Sequence, residues 1–135
     1  MTRNIRSVKA FEEAWWNFTF LTKLLPPKIK GMDVDHLIER RGRKLIIETK
    51  KPGAEIPLGQ RIALESFVKD DSHPVMILWG VQPEDKNQTP IIERFDVWLR
   101  TAQGGIRVLH FNPGTIEQVQ RAVKRWWDSA NKETK

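Results

Sequence analysis

A chain of 135 residues is long enough to bury one real core and is expected to form a single domain, 1–135, since no internal repeat or low-complexity run divides it. Its 23 lysines and arginines against 17 aspartates and glutamates leave a formal charge of +6, which favours an anionic partner, nucleic acid being the commonest. The absence of cysteine and tyrosine excludes disulfides, thiolate nucleophiles, cysteine-ligated zinc and a phosphotyrosyl-DNA intermediate, and with no P-loop any cleavage chemistry is left to carboxylates, water and metal.

The first predicted element is a helix capped by Ser7 and stopped near Leu25 by Pro26 and Pro27. Val8, Phe11, Trp15, Phe18, Thr22 and Leu25 make its core stripe. Glu12 flanks that stripe and Glu13 faces water. Trp16, Phe20 and Leu24 form a second apolar row on the outer side, which either another element or a second copy of the chain must cover. The expectation is a homodimer packed through that row.

Two strands follow, Met32 to Glu39 and Lys44 to Lys50, folded back around the basic turn Arg40-Arg41-Gly42-Arg43. A two-residue loop at Arg41 and Gly42 pairs Arg40 with Arg43 and Glu39 with Lys44. Continued along the ladder, that register brings Asp35 opposite Glu48 and Asp33 opposite Lys50. A three-residue loop would shift the register by one and send Asp35 and Glu48 to different faces. Opposed carboxylates repel unless a cation lies between them, and hard oxygen ligands suit Mg²⁺ or Mn²⁺. The competing reading of Asp33, Asp35, Glu48 and Lys50 is a solvated strand face of salt bridges. The other face, Val34, Ile38, Leu45 and Ile47, is a core face interrupted by His36. The turn gathers Arg40, Arg41, Arg43 and Lys44, whose forks match phosphate oxygens and which serve equally well as an edge-protecting turn. Lys51 adds a further positive charge just beyond the second strand.

A second helix is predicted from about Leu58 to Asp70, with the stripe Gln60, Ala63, Leu64, Phe67 and Val68. Gln60 begins the buried face although it is polar, so its amide is expected to point back at the hairpin, where it could hold a water, a metal-bound group or a phosphate. Val75 to Val81 is a continuous apolar run suited to a central strand covered on both sides. Ile92 to Arg100 and Ile106 to Phe111 read as a strand pair joined through Gly104 and Gly105. The last helix opens on a Thr115/Gln118 capping box and buries Ile116, Val119, Val123, Trp126 and Ala130, leaving Arg121, Lys124, Arg125 and Trp127 outside. His36, His73 and His110 show no metal spacing. No apolar run approaches the roughly 18 residues of a spanning helix, and a cytoplasmic protein is expected.

Asp35-His36-Leu37 followed by Ile47-Glu48-Thr49-Lys50 resembles the PD-(D/E)XK nuclease superfamily, in wording nearest the nuclease-related domain and in spacing also similar to small Holliday-junction resolvases. Val34 stands where the family's proline is expected. The resemblance spans about Val8 to Val81. It implies an α/β fold, a restriction-endonuclease-like mixed sheet flanked by helices in the order α-β-β-α-β-β-β-α, and a Mg²⁺-dependent DNA endonuclease. Asp35 and Glu48 would hold the metal, joined by the Thr49 carbonyl and by Glu12 from the first helix. Lys50 would position or deprotonate the attacking water. Glutamines placed like Gln60 occur in several branches of the superfamily, and the basic turn with Lys51 would contact DNA. The alternative is a non-catalytic nucleic-acid-binding or protein-interaction module on the same fold.

Overall fold

The computed structural model describes residues 17–26, 32 and 34–132. The chain divides into two compact units, residues 1–33 and 34–135. In the first, the described helix is α1 (Thr19–Thr22), with Asn17 Oδ1 accepting from the Thr19 amide at 3.0 Å. Glu12, Trp15 and Trp16, and with them most of the long first helix expected from the stripe, lie outside the described residues. Phe20 and Leu24 are exposed.

The second unit is an α/β layer structure whose elements are β1 (His36–Arg40), β2 (Arg43–Lys50), α2 (Leu58–Lys69), β3 (Val75–Val81), β4 (Ile91–Arg100), β5 (Ile106–Phe111) and α3 (Ile116–Ala130). The five strands form one mixed sheet in the order β1-β2-β3-β4-β5, β2 and β3 being parallel and the other pairs antiparallel. Parallel neighbours need a crossover, and α2 supplies it. The Val75–Val81 run takes the central position, as its unbroken apolarity requires.

The hairpin closes on Arg41 and Gly42, with φ of +55° and +82°. Positive φ at both central residues is the signature of a type I′ turn, whose twist matches that of the strands it joins. Arg40 therefore pairs with Arg43 and Glu39 with Lys44, which is the register of the two-residue loop. The ladder begins at His36 opposite Ile47, so the first strand is shorter than the predicted Met32 to Glu39 and Asp35 sits one residue outside it.

Side chains alternate across the sheet, and each face has its helix. Leu45, Ile47, Met76 and Phe95 form one core with Val119 of α3, bordered by Val123 and Trp126. Phe95 stacks on its cross-strand partner Phe111 with ring centroids 4.4 Å apart, a pair contributing about 1 kcal/mol beyond its buried area. The opposite parity, Ile46, Glu48, Val75, Ile77, Trp79, Asp96 and Trp98, lies on the α2 side, where Leu64 and Val68 are fully buried. One packed hairpin face was expected, with acids and a lysine on the other; the second face also packs, under α2. Leu45, Ile46, Ile47 and Glu48 are buried in succession, because β2 is an inner strand with a helix over each side.

The Thr115/Gln118 capping box forms, with reciprocal bonds of 2.9 and 3.2 Å, and fixes the start of α3. Its other end is held by the hairpin turn, as described below.

Candidate active site

Glu48 is the centre of the site because β2 delivers a carboxylate to a place where water barely reaches: it is 2% exposed. A buried carboxylate needs hydrogen-bond donors on its oxygens, and two elements provide them. The main-chain N–H of Asp35, entering β1, donates to Oε1 at 3.2 Å, and the Gln60 amide, from the first turn of α2, donates to Oε2 at 2.8 Å. The Gln60 carbonyl oxygen in turn accepts from Lys50 Nζ at 2.6 Å. Gln60 thus joins the acid and the lysine of the same strand through one amide, and its orientation is fixed by having a donor on one side and an acceptor on the other. Burial holds the Glu48 carboxyl above its ordinary range, helped by the negative charge of Asp35. The Asp35 N–H, the Lys50 ammonium and the Gln60 bond act in the opposite sense without cancelling it.

Asp35 contributes differently from the simple picture of two stacked carboxylates. Its Oδ2 accepts from the main-chain N–H of Thr49 at 2.8 Å and from the Thr49 hydroxyl at 2.9 Å. Because residue 35 precedes the first ladder pair, its backbone bends. It presents its N–H to Glu48 while its carboxylate reaches the next residue of β2. Asp35, Glu48, Thr49, Lys50 and Gln60 are therefore brought into one hydrogen-bonded group. Thr49 enters it through donors, its N–H and hydroxyl.

The donor set fits a small divalent cation. Mg²⁺ is bound characteristically through one or two carboxylates, with waters and substrate oxygens completing its shell. Asp35 and Glu48 supply that pair, and a cation beside Glu48 would relieve both its burial cost and its repulsion from Asp35. Among the described residues no cluster of three or more His, Cys, Asp or Glu is grouped for metal binding. Glu12, the further ligand suggested by the resemblance, lies outside the described residues.

The turn arginines are placed elsewhere. Arg40 Nε donates to Asn131 Oδ1 at 2.7 Å, Arg43 Nη1 to the Ser129 carbonyl at 2.9 Å, and Arg41 Nη1 to the Asn131 carbonyl at 3.5 Å. The Arg40 guanidinium also lies over the Trp127 ring, 5.2 Å from its centroid. The C-terminal turn of a helix leaves carbonyls without intrahelical partners and carries partial negative charge, and the arginines answer both needs of α3. At about 3.3 Å per residue the turn stands some 16 Å along β2 from Glu48. Lys51, by contrast, adjoins the site. It is exposed, and with Thr49 and Lys50 it lines an open cavity of about 460 Å³ whose apolar walls include Leu78, Ile92 and Ile116.

Two arrangements on the α2 side of the sheet escaped the sequence reading. Asp96, nearly buried, bonds His110 Nδ1 at 2.7 Å across β4 and β5. Arg94 lies over the Trp79 ring, 3.6 Å from its centroid. Both are cross-strand neighbours on different segments, and only the strand register brings them together.

Comparison with protein-family models, with curated proteins and with solved structures gives no match to this chain.

Proposed function

We propose that the chain is a metal-dependent nuclease of the PD-(D/E)XK type, a DNA endonuclease hydrolysing phosphodiester bonds on a restriction-endonuclease-like α-β-β-α-β-β-β-α fold. The observation that carries this reading is the single hydrogen-bonded group formed by Asp35, Glu48, Lys50 and Gln60 at the ends of β1 and β2 and the start of α2. A salt-bridged solvated face would leave Glu48 in water and paired directly with lysine. Here the acid is buried, and an amide stands between it and Lys50.

Bound magnesium or manganese would polarise the scissile phosphate and lower the pKa of a coordinated water. Asp35 and Glu48 supply its carboxylate oxygens. Lys50, an ammonium held by the Gln60 carbonyl, has two further N–H donors for the attacking water and for a phosphate oxygen, where its charge offsets the negative charge that builds as the P–O bond forms. Gln60 keeps Lys50 and Glu48 in fixed relation, so neither has to be ordered when substrate arrives. The basic turn and Lys51 are proposed to add phosphate contacts, Lys51 beside the site and Arg40, Arg41 and Arg43 at a distance from it.

The test is a panel of linear, single-stranded, nicked and branched DNA, incubated with Mg²⁺ and with EDTA. Metal-dependent cleavage of at least one substrate is expected. Absence of cleavage throughout, with the protein folded and the metal in excess, sinks the reading.

A further inference from the structure

Arg94 is a cation on the α2 side of the sheet that the proposed mechanism leaves unused. It is half-buried near the start of β4, and its guanidinium has no hydrogen-bond acceptor among the described residues. What holds it is the face of Trp79, at 3.6 Å. That ring is itself fixed: it is 3% exposed, and its Nε1 donates to the Ala54 carbonyl at 2.7 Å in the connection between β2 and α2. A guanidinium stacked on an aromatic ring is attracted by the ring's negative face and keeps its N–H groups free at the edges. Asp96, two residues on and on the same face, is engaged with His110.

The strand register relates this cation to the candidate site. Lys50 pairs with Trp79, and Trp79 pairs with Arg94, so the three side chains form one row across β2, β3 and β4 on a common face. The adjacent row contains Glu48, Ile77 and Asp96. Strands are spaced about 4.8 Å apart, which puts the Arg94 backbone about 10 Å from that of Lys50.

We infer that Arg94, aligned by Trp79, is a phosphate-binding residue that holds the DNA strand within about three nucleotides of the phosphate at Glu48 and Lys50, as a separation of about 10 Å and an axial rise of about 3.4 Å per nucleotide allow. This rests on the nuclease reading. A guanidinium free of other acceptors and held against a fixed ring is the group suited to bidentate phosphate recognition, since less side-chain freedom remains to be lost on binding. The role is substrate binding, and it is separable from the chemistry at Glu48.

The experiment measures equilibrium binding of fluorescent duplex and single-stranded DNA across a salt series, in a Glu48→Gln background so that substrate persists. Arg94→Met, which keeps an apolar stem over Trp79, should weaken binding about tenfold at low salt and reduce the salt slope by about one. Arg94→Lys should keep the slope and lose about threefold in affinity, because the fixed fork is gone. Unchanged affinity and slope in Arg94→Met, with Lys50→Met still weakening binding, overturns the inference and leaves the nuclease reading standing. Failure of the parent protein to bind any DNA overturns both. If Arg94→Met does not fold, Arg94→Lys decides, and parental affinity in that variant overturns the claim of a fixed phosphate fork.

Discussion

Glu48 gathers donors from Asp35 and Gln60 while burial raises its pKa, and that combination makes its ionisation measurable through stability. Between the ordinary glutamate pKa and the raised value of Glu48, the folded chain keeps a proton that the unfolded chain has lost. The contribution of this group to stability is therefore complete below the ordinary value and declines as pH rises through that window. Glu48→Gln cannot ionise there. Chemical denaturation over a pH series should show the stability of the wild type falling relative to Glu48→Gln across the window and levelling off above it. A relative stability that rises with pH contradicts the buried, raised carboxyl. Gln60 makes a second prediction at this scale. Because it orients Lys50 and Glu48 and is assigned no contact with the reacting atoms, Gln60→Ala should lower kcat by about 10–100-fold with little change in KM. A pure KM effect would move Gln60 into substrate binding.

At the scale of elements, the hairpin sets the register and the sheet and helices fix the rest. Gly42 at φ +82° has open space around it, so Gly42→Ala tests backbone conformation alone and should cost about 1 kcal/mol. Gly80 is a different case. It sits at the irregularity between β3 and β4, where an added Cβ would collide with the Ile91 carbonyl, a main-chain atom that cannot step aside. The turn arginines offer two roles that one experiment separates. Replacing Arg40, Arg41 and Arg43 by Ala should lower stability by about 1–2 kcal/mol through the exposed C-terminal carbonyls of α3. If the turn also contacts phosphates, the salt dependence of DNA binding flattens as well, and an unchanged slope leaves helix capping as its one role. Much of this was legible in the chain. Arg41-Gly42 between alternating strands marked the turn, and of the two registers left open there the two-residue loop's is the one found, pairing His36 with Ile47; the helical period put Gln60 on the inner face, and Thr115 with Gln118 marked the start of α3. Contacts set by the register between separate strands, or by the meeting of distant elements, were not. Arg94 on Trp79 and Asp96 with His110 require the β3–β4 and β4–β5 pairings, and no local pattern announces that Arg40 and Arg43 meet a helix end some 90 residues later. The bend at Asp35 was likewise hidden, since alternation alone predicts a strand continuing through it.

For the whole molecule, the described helices include none long and apolar enough to cross a membrane. The sheet unit is covered on both faces by α2 and α3, while in the first unit Phe20 and Leu24 stay exposed, at 49% and 76%. A homodimer through that apolar row is proposed, and sedimentation at micromolar concentration tests it: twice the chain mass is expected, and a monomer refutes it. The central claim, however, is that Glu48 and its partners form a metal-dependent phosphodiesterase site. Its most direct test compares DNA cleavage by the wild type and by Glu48→Ala in Mg²⁺, after circular dichroism has shown both to be folded. The prediction is cleavage by the wild type that EDTA abolishes, and a loss of at least about a thousandfold in Glu48→Ala, as removal of a direct metal ligand and its share of transition-state stabilisation requires. Cleavage by Glu48→Ala at the wild-type rate would contradict it.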